Sequence, residues 1–238
     1  MRKNKAHTVV MSDQLANTAK LLGEPARAAM LMELMSGRAL PAGELASAAN
    51  VSPQTASEHL ARLTEGGFVT VYQQGRHRYY SLAAPEVADA IESMLALTVR
   101  TNEGARPNVA VPPIGTLAHA RTCYAHLAGW LGVVITEALQ REGYLLPSAG
   151  RTFAVTESGR AWLQTLGVAV PVSSDPKLAR QCLDWTERRP HLAGRLGVSL
   201  YKQFVALRWM APARNTRAVR VTLEGRQALS KHLHIAVG

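Results

Sequence analysis

Four residues in the C-terminal half of the chain carry side chains that could bind a soft metal ion. They are Cys123, His126, Cys182 and His191. Two thiolates and two imidazoles can hold zinc or a similar soft transition metal in tetrahedral geometry, whereas two cysteines are too few for a disulfide framework. A metal or thiol site is therefore one hypothesis for these residues. The sequence favours the other, in which the side chains serve packing and hydrogen bonding, because the spacing matches no established metal motif and the cysteines would not occupy equivalent positions.

The same residues raise an enzymatic alternative, in which Cys123 is a nucleophile and His126 is its base. No orienting carboxylate and no oxyanion motif accompanies them in the sequence. We therefore expect a protein that is not an enzyme.

A second set of polar residues follows a predicted helix over 53–65. Its apolar stripe is formed by Ala56, Leu60 and Leu63, so hydrogen-bonding side chains occupy the outer face. Ser52 suits the N-cap and Pro53 the first helical position, and Asn50 tolerates the left-handed backbone of a tight turn between helices. A polar helix after such a turn can enter the DNA major groove.

The elements around this helix can be predicted from periodicity and from Gly and Pro positions. Helices are expected over 14–22, where Leu15 lies on the apolar stripe, over 24–36, after Pro41 and over 86–99, with strands over 68–72 and 77–82. This order predicts a winged helix-turn-helix unit within residues 14–100. The fold class expected for the whole chain is mainly α with small β-hairpins (α+β).

Over residues 12–100 the sequence resembles the ArsR family of winged-helix repressors. The matching motifs are Leu22-Gly23-Glu24-Pro25-Ala26-Arg27, Glu44-Leu45-Ala46, Ser57-Glu58-His59-Leu60, Leu63, Gly67-Phe68-Val69 and Gly75-Arg76-His77-Arg78-Tyr79-Tyr80. The resemblance implies a homodimer, paired through the first and last helices of this unit, that represses by binding a palindromic double-stranded operator and is released by a signal. It also implies recognition positions at Ser57 and His59 and wing positions at Arg76 and Arg78.

The complete set of expected DNA contacts lies on the helix and the wing. It comprises Ser52, Gln54, Thr55, Ser57, His59, Arg62, Arg76, His77 and Arg78. Three alternatives stay open: Ser52 is only a cap, His59 packs against the neighbouring helix, and the wing arginines are solvated.

The metal-sensing motifs of the family are absent from the winged unit. The stretch 39–45 has no cysteine, and residues 86–103 contain no histidine. We therefore expect any metal or small-molecule effector to act through residues 117–238.

The C-terminal half repeats itself after a Gly- and Pro-containing linker over 101–116, which separates domains 1–100 and 117–238. His126-Leu127-Ala128-Gly129 returns as His191-Leu192-Ala193-Gly194, and the blocks 155–160 and 221–226 match at nearly the same spacing. Each copy is expected to be a wing-like module. The first comprises helix 117–142, hairpin 143–156 and a helix from 157; the second comprises helix 190–207, hairpin 208–222 and helix 223–232.

Two details follow from this assignment. Cys123 and His126 would share one helix face, but the two cysteines would not occupy equivalent positions in the copies. The repeated glycines Gly129, Gly132, Gly194 and Gly197 would let helices approach closely.

The net positive charge of the chain lies entirely in its C-terminal half. Residues 1–105 contain 10 Lys and Arg against 10 Asp and Glu, whereas residues 106–238 contain 17 against 7, which accounts for the whole net charge of +10. Arg214, Arg217 and Arg220 in the second predicted hairpin could contact phosphates beside the operator. A solvated basic face is the alternative.

Composition excludes some classes of protein. No apolar run is long enough to cross a membrane, and no secretory signal is apparent, so we expect a cytoplasmic protein. A winged protein-interaction scaffold that does not bind specific DNA is the alternative to a regulator.

Overall fold

The computed structural model describes residues 2–100, 111–172, 175–214 and 216–237. The chain combines helices with small antiparallel sheets, as expected. It forms two compact units that divide between Val87 and Ala88. This division lies earlier than the boundary predicted at residue 100, because Asp89 and Glu92 contact arginines of the C-terminal unit. Of the predicted linker, residues 101–110 lie outside the described residues.

The N-terminal unit has the winged helix-turn-helix order expected from the sequence. Its elements are α1 (Arg2–Leu22), α2 (Pro25–Leu34), β1 (Leu40–Pro41), α3 (Ala42–Ala49), α4 (Pro53–Glu65), β2 (Val69–Gln74), β3 (His77–Leu82) and the first residues of α5 (Pro85–Arg100). The bounds of α4 and β3 match the prediction, whereas α1 begins earlier, α2 ends earlier and β2 runs longer. Leu15, predicted on the apolar stripe of α1, is 70% exposed.

The turn between α3 and α4 is fixed by local chemistry. Asn50 ends α3 with φ 52°, in the left-handed region that its short polar side chain tolerates. Ser52 caps α4 by accepting a hydrogen bond from the Thr55 amide at 3.1 Å, and Pro53 occupies the first turn. The predicted roles of Asn50 in the turn, of Ser52 as the N-cap and of Pro53 in the first turn are confirmed.

The wing is a hairpin in a three-stranded sheet of order β1-β3-β2. β2 and β3 pair in register from Val69↔Leu82 to Gln74↔His77. Gly75 adopts φ 60° at the tip, a conformation that suits glycine.

The C-terminal unit contains the remainder of α5 and two copies of one pattern, in which a hairpin leads into a helix, a second hairpin and a final helix. The first copy consists of β4 (Arg121–Cys123), β5 (His126–Ala128), α6 (Gly129–Arg141), β6 (Leu145–Ser148), β7 (Thr152–Val155) and α7 (Glu157–Thr165). The second consists of β8 (Arg180–Leu183), β9 (Pro190–Ala193), α8 (Gly194–Ala206), β10 (Met210–Pro212), β11 (Val219–Val221) and α9 (Leu223–Leu233).

The predicted helices over 117–142 and 190–207 are therefore wrong in their first parts. Hairpin β4–β5 precedes α6, and strand β9 precedes α8. Cys123 and His126 are cross-strand partners in a hairpin, not neighbours on a helix.

Strands of one copy pair with strands of the other copy. Hairpin β6–β7 of the first copy continues into β8–β9 of the second through Thr152↔Arg180. The symmetric bridge, Arg121↔Ala218, joins β4 of the first copy to the segment leading into β11 of the second. The copies thus form an intertwined, pseudo-symmetric pair around one apolar core.

The repeated glycines accommodate strands, so the predicted close approach between helices is wrong. A Cβ on Gly132 of α6 would lie 2.7 Å from the Leu127 carbonyl oxygen and 3.6 Å from the His191 Cβ. At Gly197 of α8, a Cβ would lie 3.4 Å from the His126 Cβ. Each glycine therefore makes room for a backbone carbonyl of the preceding strand in its own copy, that of Leu127 for Gly132 and that of Leu192 for Gly197, while the histidine of the other copy lies at ordinary contact distance.

Candidate functional site

The outer face of α4 is polar and exposed, whereas Ala56, Leu60 and Leu63 on its inner face are fully buried. Gln54 and Arg62 are exposed on the outer face. Of the predicted DNA contacts on α4 and its cap, Ser52, Gln54, Ser57 and Arg62 are exposed, and Thr55 and His59 are half-buried. A buried apolar stripe thus fixes the helix and leaves hydrogen-bonding groups available to base edges and phosphates.

The Ser52 hydroxyl is occupied by the helix itself. Its oxygen accepts from the Thr55 amide and lies 2.9 Å from the Thr55 hydroxyl. Ser57 donates to the Pro53 carbonyl at 2.9 Å, a local bond that an exposed hydroxyl can exchange by rotation. The geometry therefore supports the interpretation of Ser52 as a helix cap. The hydroxyl of Ser57 is exposed and can bond to DNA.

His59 is held against the start of α2. Its Nδ1 lies 3.5 Å from the Glu24 carboxylate and 3.4 Å from the Arg27 guanidinium, and its side chain is 15% exposed. Arg27 in turn donates to the carbonyls of Leu21 and Lys20. The packing alternative describes His59 better than a base contact, because the ring is engaged in anchoring α4.

The charged residues at the tip of the wing are exposed to solvent. Arg76, His77 and Arg78 are all exposed. Tyr72 and Tyr79 stack across the two strands with ring centroids 5.5 Å apart, which stiffens the hairpin below the tip. The arrangement suits contacts to phosphates or to a minor groove.

The four predicted metal ligands converge in the C-terminal unit. Cys123 pairs with His126 across β4 and β5, and Cys182 pairs with His191 across β8 and β9. Cross-strand partners project on the same side of a hairpin. The potential ligand atoms of all four lie within 4.8 Å of one another.

The cysteines are structurally equivalent, contrary to the expectation from sequence. Each follows an arginine by two positions, as in Arg121-Thr122-Cys123 and Arg180-Gln181-Cys182, and each pairs with the histidine of its own hairpin. The segment between the cysteine and the histidine is six residues longer in the second copy, so the two residues are nine positions apart there and three apart in the first copy. This insertion hid the equivalence.

A buried carboxylate supports the cluster. Asp184 Oδ2 lies 3.2 Å from His191 Nδ1 and accepts hydrogen bonds from the Gly129 amide at 2.7 Å and Arg121 at 3.0 Å. Its other oxygen accepts from the Thr186 amide and hydroxyl and the Glu187 amide. Asp184 therefore fixes the orientation of the His191 ring and leaves Nε2 directed at the cluster.

Helix α5 contributes two further carboxylates, three positions apart. Asp89 pairs with Arg180 at 2.6 Å, and Glu92 lies 3.9 Å from Arg121. These arginines occupy equivalent positions, two residues before the cysteines. The sequence interpretation missed this link between α5 and the hairpins, although the repeated Arg-x-Cys motif was visible.

Contacts shift the pKa values within the cluster. The hydrogen bond with Cys123 lowers the pKa of Cys182 well below its usual range, while the same bond and burial raise the pKa of Cys123. Burial disfavours the imidazolium of His191, but contacts with Asp184 and Cys182 outweigh burial and raise its pKa to about 9. Burial also opposes ionisation of Asp184, but His191 holds the pKa of that carboxyl well below its usual range.

The three arginines proposed as accessory DNA contacts are placed differently. Arg214 and Arg220 are exposed. Arg217 is only 6% exposed, donates to the Thr122 carbonyl at 3.3 Å and lies 3.9 Å from Glu92. Its predicted contact with phosphate is wrong, because its segment pairs with β4 and buries the side chain.

The chain is similar to one HTH-type transcriptional regulator over nearly its whole length and to others over its N-terminal part. The helix-turn-helix domain family matches residues 22–72. The uncharacterized HTH-type transcriptional regulator YdfF of Bacillus subtilis is 38% identical over 229 residues, which cover 95% of this chain and 100% of that protein. The transcriptional activator HlyU of Vibrio cholerae is 29% identical over 103 residues, or 43% of this chain and 88% of that protein.

A solved structure also matches the N-terminal region. The homodimeric winged helix-turn-helix DNA-binding domain of Mb0332 from Mycobacterium bovis, described as a possible ArsR-family regulator, is 24% identical. The match has a TM-score of 0.37 and covers 42% of this chain and 92% of that domain.

Within the part of the chain that the structure describes, no helix is both long and apolar enough to cross a membrane.

Proposed function

We propose that this chain, which belongs to the HTH-type transcriptional regulators, binds a specific double-stranded operator as a homodimeric repressor. Helix α4 contacts base edges in the major groove, and the β2–β3 wing contacts the backbone beside it. A signal received by the C-terminal unit releases the operator.

The polar outer face of α4 is the observation that carries this proposal. Gln54 and Arg62 are exposed on a helix whose inner face is fully buried. Burial of the inner face fixes the helix, so the face that carries these two residues has a defined orientation. Gln can bond adenine and Arg can bond guanine through paired hydrogen bonds. Such contacts provide sequence specificity, whereas Arg76 and Arg78 position the protein on phosphates.

A second copy of the chain is the partner that suits the exposed apolar residues of α1. Met11 is 55% exposed and Leu15 is 70% exposed, one helical turn apart on one face. An isologous dimer would cover this face and would match the two halves of a palindromic operator. Pairing through the first helix is also what the family resemblance implies.

Operator binding can be tested without knowing the operator. DNA fragments bound by the full-length chain would be selected from a genomic library, and their affinity measured by fluorescence anisotropy beside light scattering of the free protein. We expect a dimer that binds selected fragments far more tightly than random DNA. Single substitutions Gln54→Ala and Arg62→Ala should each weaken specific binding by about 1–3 kcal/mol.

Lys202→Ala is the matched control, since Lys202 is exposed on α8 of the C-terminal unit. It should leave specificity unchanged. A folded dimer that selects no fragment at low salt would refute the proposal and favour a scaffold. Transcription of a selected promoter in vitro then separates repression, the expected result, from activation.

A further inference from the structure

The four side chains of Cys123, His126, Cys182 and His191 have the spacing of a tetrahedral metal site. The two sulfur atoms are 4.0 Å apart, and the two Nε2 atoms are 3.1 Å apart. Metal–sulfur bonds of about 2.3 Å and metal–nitrogen bonds of about 2.0–2.1 Å in a tetrahedron place sulfurs about 3.8 Å and nitrogens about 3.3 Å apart. These two distances need changes of only a few tenths of an ångström, whereas the sulfur–nitrogen distances, which lie within 4.8 Å, must shorten toward about 3.5 Å when the ion binds.

The site is enclosed. The exposed fractions of Cys123, His126, Cys182 and His191 are 0%, 4%, 7% and 0%. Four protein ligands fill a tetrahedral shell and leave no open position, which is the pattern of a structural or regulatory zinc site and not of a catalytic one. Access remains from one side, because Cys182 lines a surface depression together with Asp89 and Arg180.

The surroundings provide the outer shell that a histidine ligand requires. Metal-bound histidines almost always donate their second ring nitrogen to a carboxylate, carbonyl or water. Asp184 is positioned for this role 3.2 Å from His191 Nδ1 and is itself fixed by Gly129 and Arg121.

Charge is balanced when the site holds a divalent cation. Two thiolates neutralise the ion, Arg121 neutralises Asp184, and Arg217 lies 3.9 Å from Glu92. A buried group of charges is tolerated only when it is paired in this way.

From this geometry we infer that Cys123, His126, Cys182 and His191 bind one soft divalent metal ion of the zinc class and thereby join the two repeats. Each repeat supplies one cysteine and one histidine, so the ion lies on their pseudo-symmetry axis. This site goes beyond operator binding and does not depend on it.

A disulfide between Cys123 and Cys182 is the competing arrangement. It requires sulfurs about 2.05 Å apart, so two buried side chains would have to approach by roughly half of their 4.0 Å separation. It would also leave unexplained why two histidines direct Nε2 at the same point. The metal accounts for all four side chains.

The test uses the full-length chain, freed of any affinity tag, reduced and then loaded with zinc or cobalt. We expect one zinc per chain by mass spectrometry after gel filtration. The cobalt form should show the intense visible bands of tetrahedral Co²⁺ and thiolate-to-cobalt charge transfer in the near ultraviolet. Less than a tenth of an equivalent of zinc together with an octahedral cobalt spectrum would overturn the inference, as would a disulfide that re-forms and excludes metal.

Variants locate the ion and separate ligands from support. Cys182→Ser and His191→Asn should abolish the charge-transfer or tetrahedral signature. His119→Asn is the matched control, because His119 is a buried histidine of the same unit outside the cluster, and it should keep one equivalent. Asp184→Asn should keep the cobalt spectrum but weaken metal affinity by about 10–100-fold; an unchanged affinity would remove Asp184 from the site.

Discussion

Helix α4 of the N-terminal unit and helices α6 and α8 of the C-terminal unit begin the same local pattern. In each case a tight turn leads into a hairpin, and an amide at the turn donates to a carbonyl five positions earlier. The three bonds are Phe68 to Leu63, Tyr144 to Leu139 and Trp209 to Phe204, at 3.0, 2.8 and 2.8 Å. The helix, turn and wing therefore form one structural pattern that the chain uses three times.

The three copies differ in what surrounds the helix. α4 buries one apolar stripe and exposes polar side chains on its other face. α6 and α8 carry glycines and bulky apolar residues, because each packs against the hairpin of the other repeat. The helix of this pattern therefore exposes polar side chains in the winged unit, whereas in the C-terminal unit it is packed against other elements. The residue types on the outer face of the helix determine this difference.

The largest expected difference between the units concerns buried charge. Arg121 is fully buried and bonded to Asp184, so Arg121→Met removes the only arginine paired with this buried carboxylate among the described residues and leaves its charge uncompensated by a guanidinium. We expect a loss of about 3–5 kcal/mol in the unfolding free energy of the C-terminal unit. Denaturant unfolding monitored by fluorescence of the tryptophans, all of which lie beyond residue 88, measures this loss.

Two matched variants sharpen this result. Arg180→Met removes the equivalent arginine of the second repeat, whose pair with Asp89 is partly exposed, and should cost about 1 kcal/mol or less. Arg62→Met on the exposed face of α4 should leave stability unchanged. Equal losses for Arg121 and Arg180 would contradict the view that burial sets the difference.

The winged unit could be predicted well because its signals are local. Ser52, Pro53 and the stripe of Ala56, Leu60 and Leu63 identify α4 without reference to the rest of the chain. The left-handed Asn50 marks the turn in the same way.

The C-terminal unit was predicted less well because its strands are short and lack alternation. β4 and β5 have three residues each, and all six are buried, so no period of two is visible. The four ligand residues were identified by type alone; their convergence depends on the strand exchange and on unequal loops. Arg217 was assigned to the surface because its burial against β4 is a long-range consequence of the same exchange.

Helix caps should give a smaller effect in both units, where Ser52 caps α4 before the first wing and Thr156 and Thr222 cap α7 and α9, which each follow a wing. Ser52, Thr156 and Thr222 each accept a hydrogen bond from the amide three positions on, at 3.1, 3.0 and 2.9 Å. The two threonines also donate to the carbonyls of Gly143 and Arg208. We expect each alanine variant to cost about 1 kcal/mol, with the threonine variants above Ser52→Ala.

Thermal unfolding of the three alanine variants measures this order, and serine variants at the two threonine positions should restore most of the loss. A cost confined to Ser52→Ala would show that the caps of the C-terminal copies do not contribute.

The smallest expected effect concerns the two charged wings. If Arg76 and Arg78 each neutralise one phosphate, their double alanine variant should reduce the slope of log affinity against log salt by about 1.8. Arg214 and Arg220 are exposed in the second wing of the C-terminal unit, where the net positive charge resides. We expect Arg214→Ala/Arg220→Ala to reduce the slope by about 0.9–1.8 without changing which operator is selected.

The control for this last variant must remove the same charge. Arg189→Ala/Arg195→Ala does so, and these arginines are already paired with Glu137 and Asp175. Its salt slope should equal that of the unmodified chain, since no phosphate contact is lost. If both double variants leave the slope unchanged while the Arg76/Arg78 variant lowers it, only the first wing lies on DNA, because exposed charge alone does not create a phosphate contact.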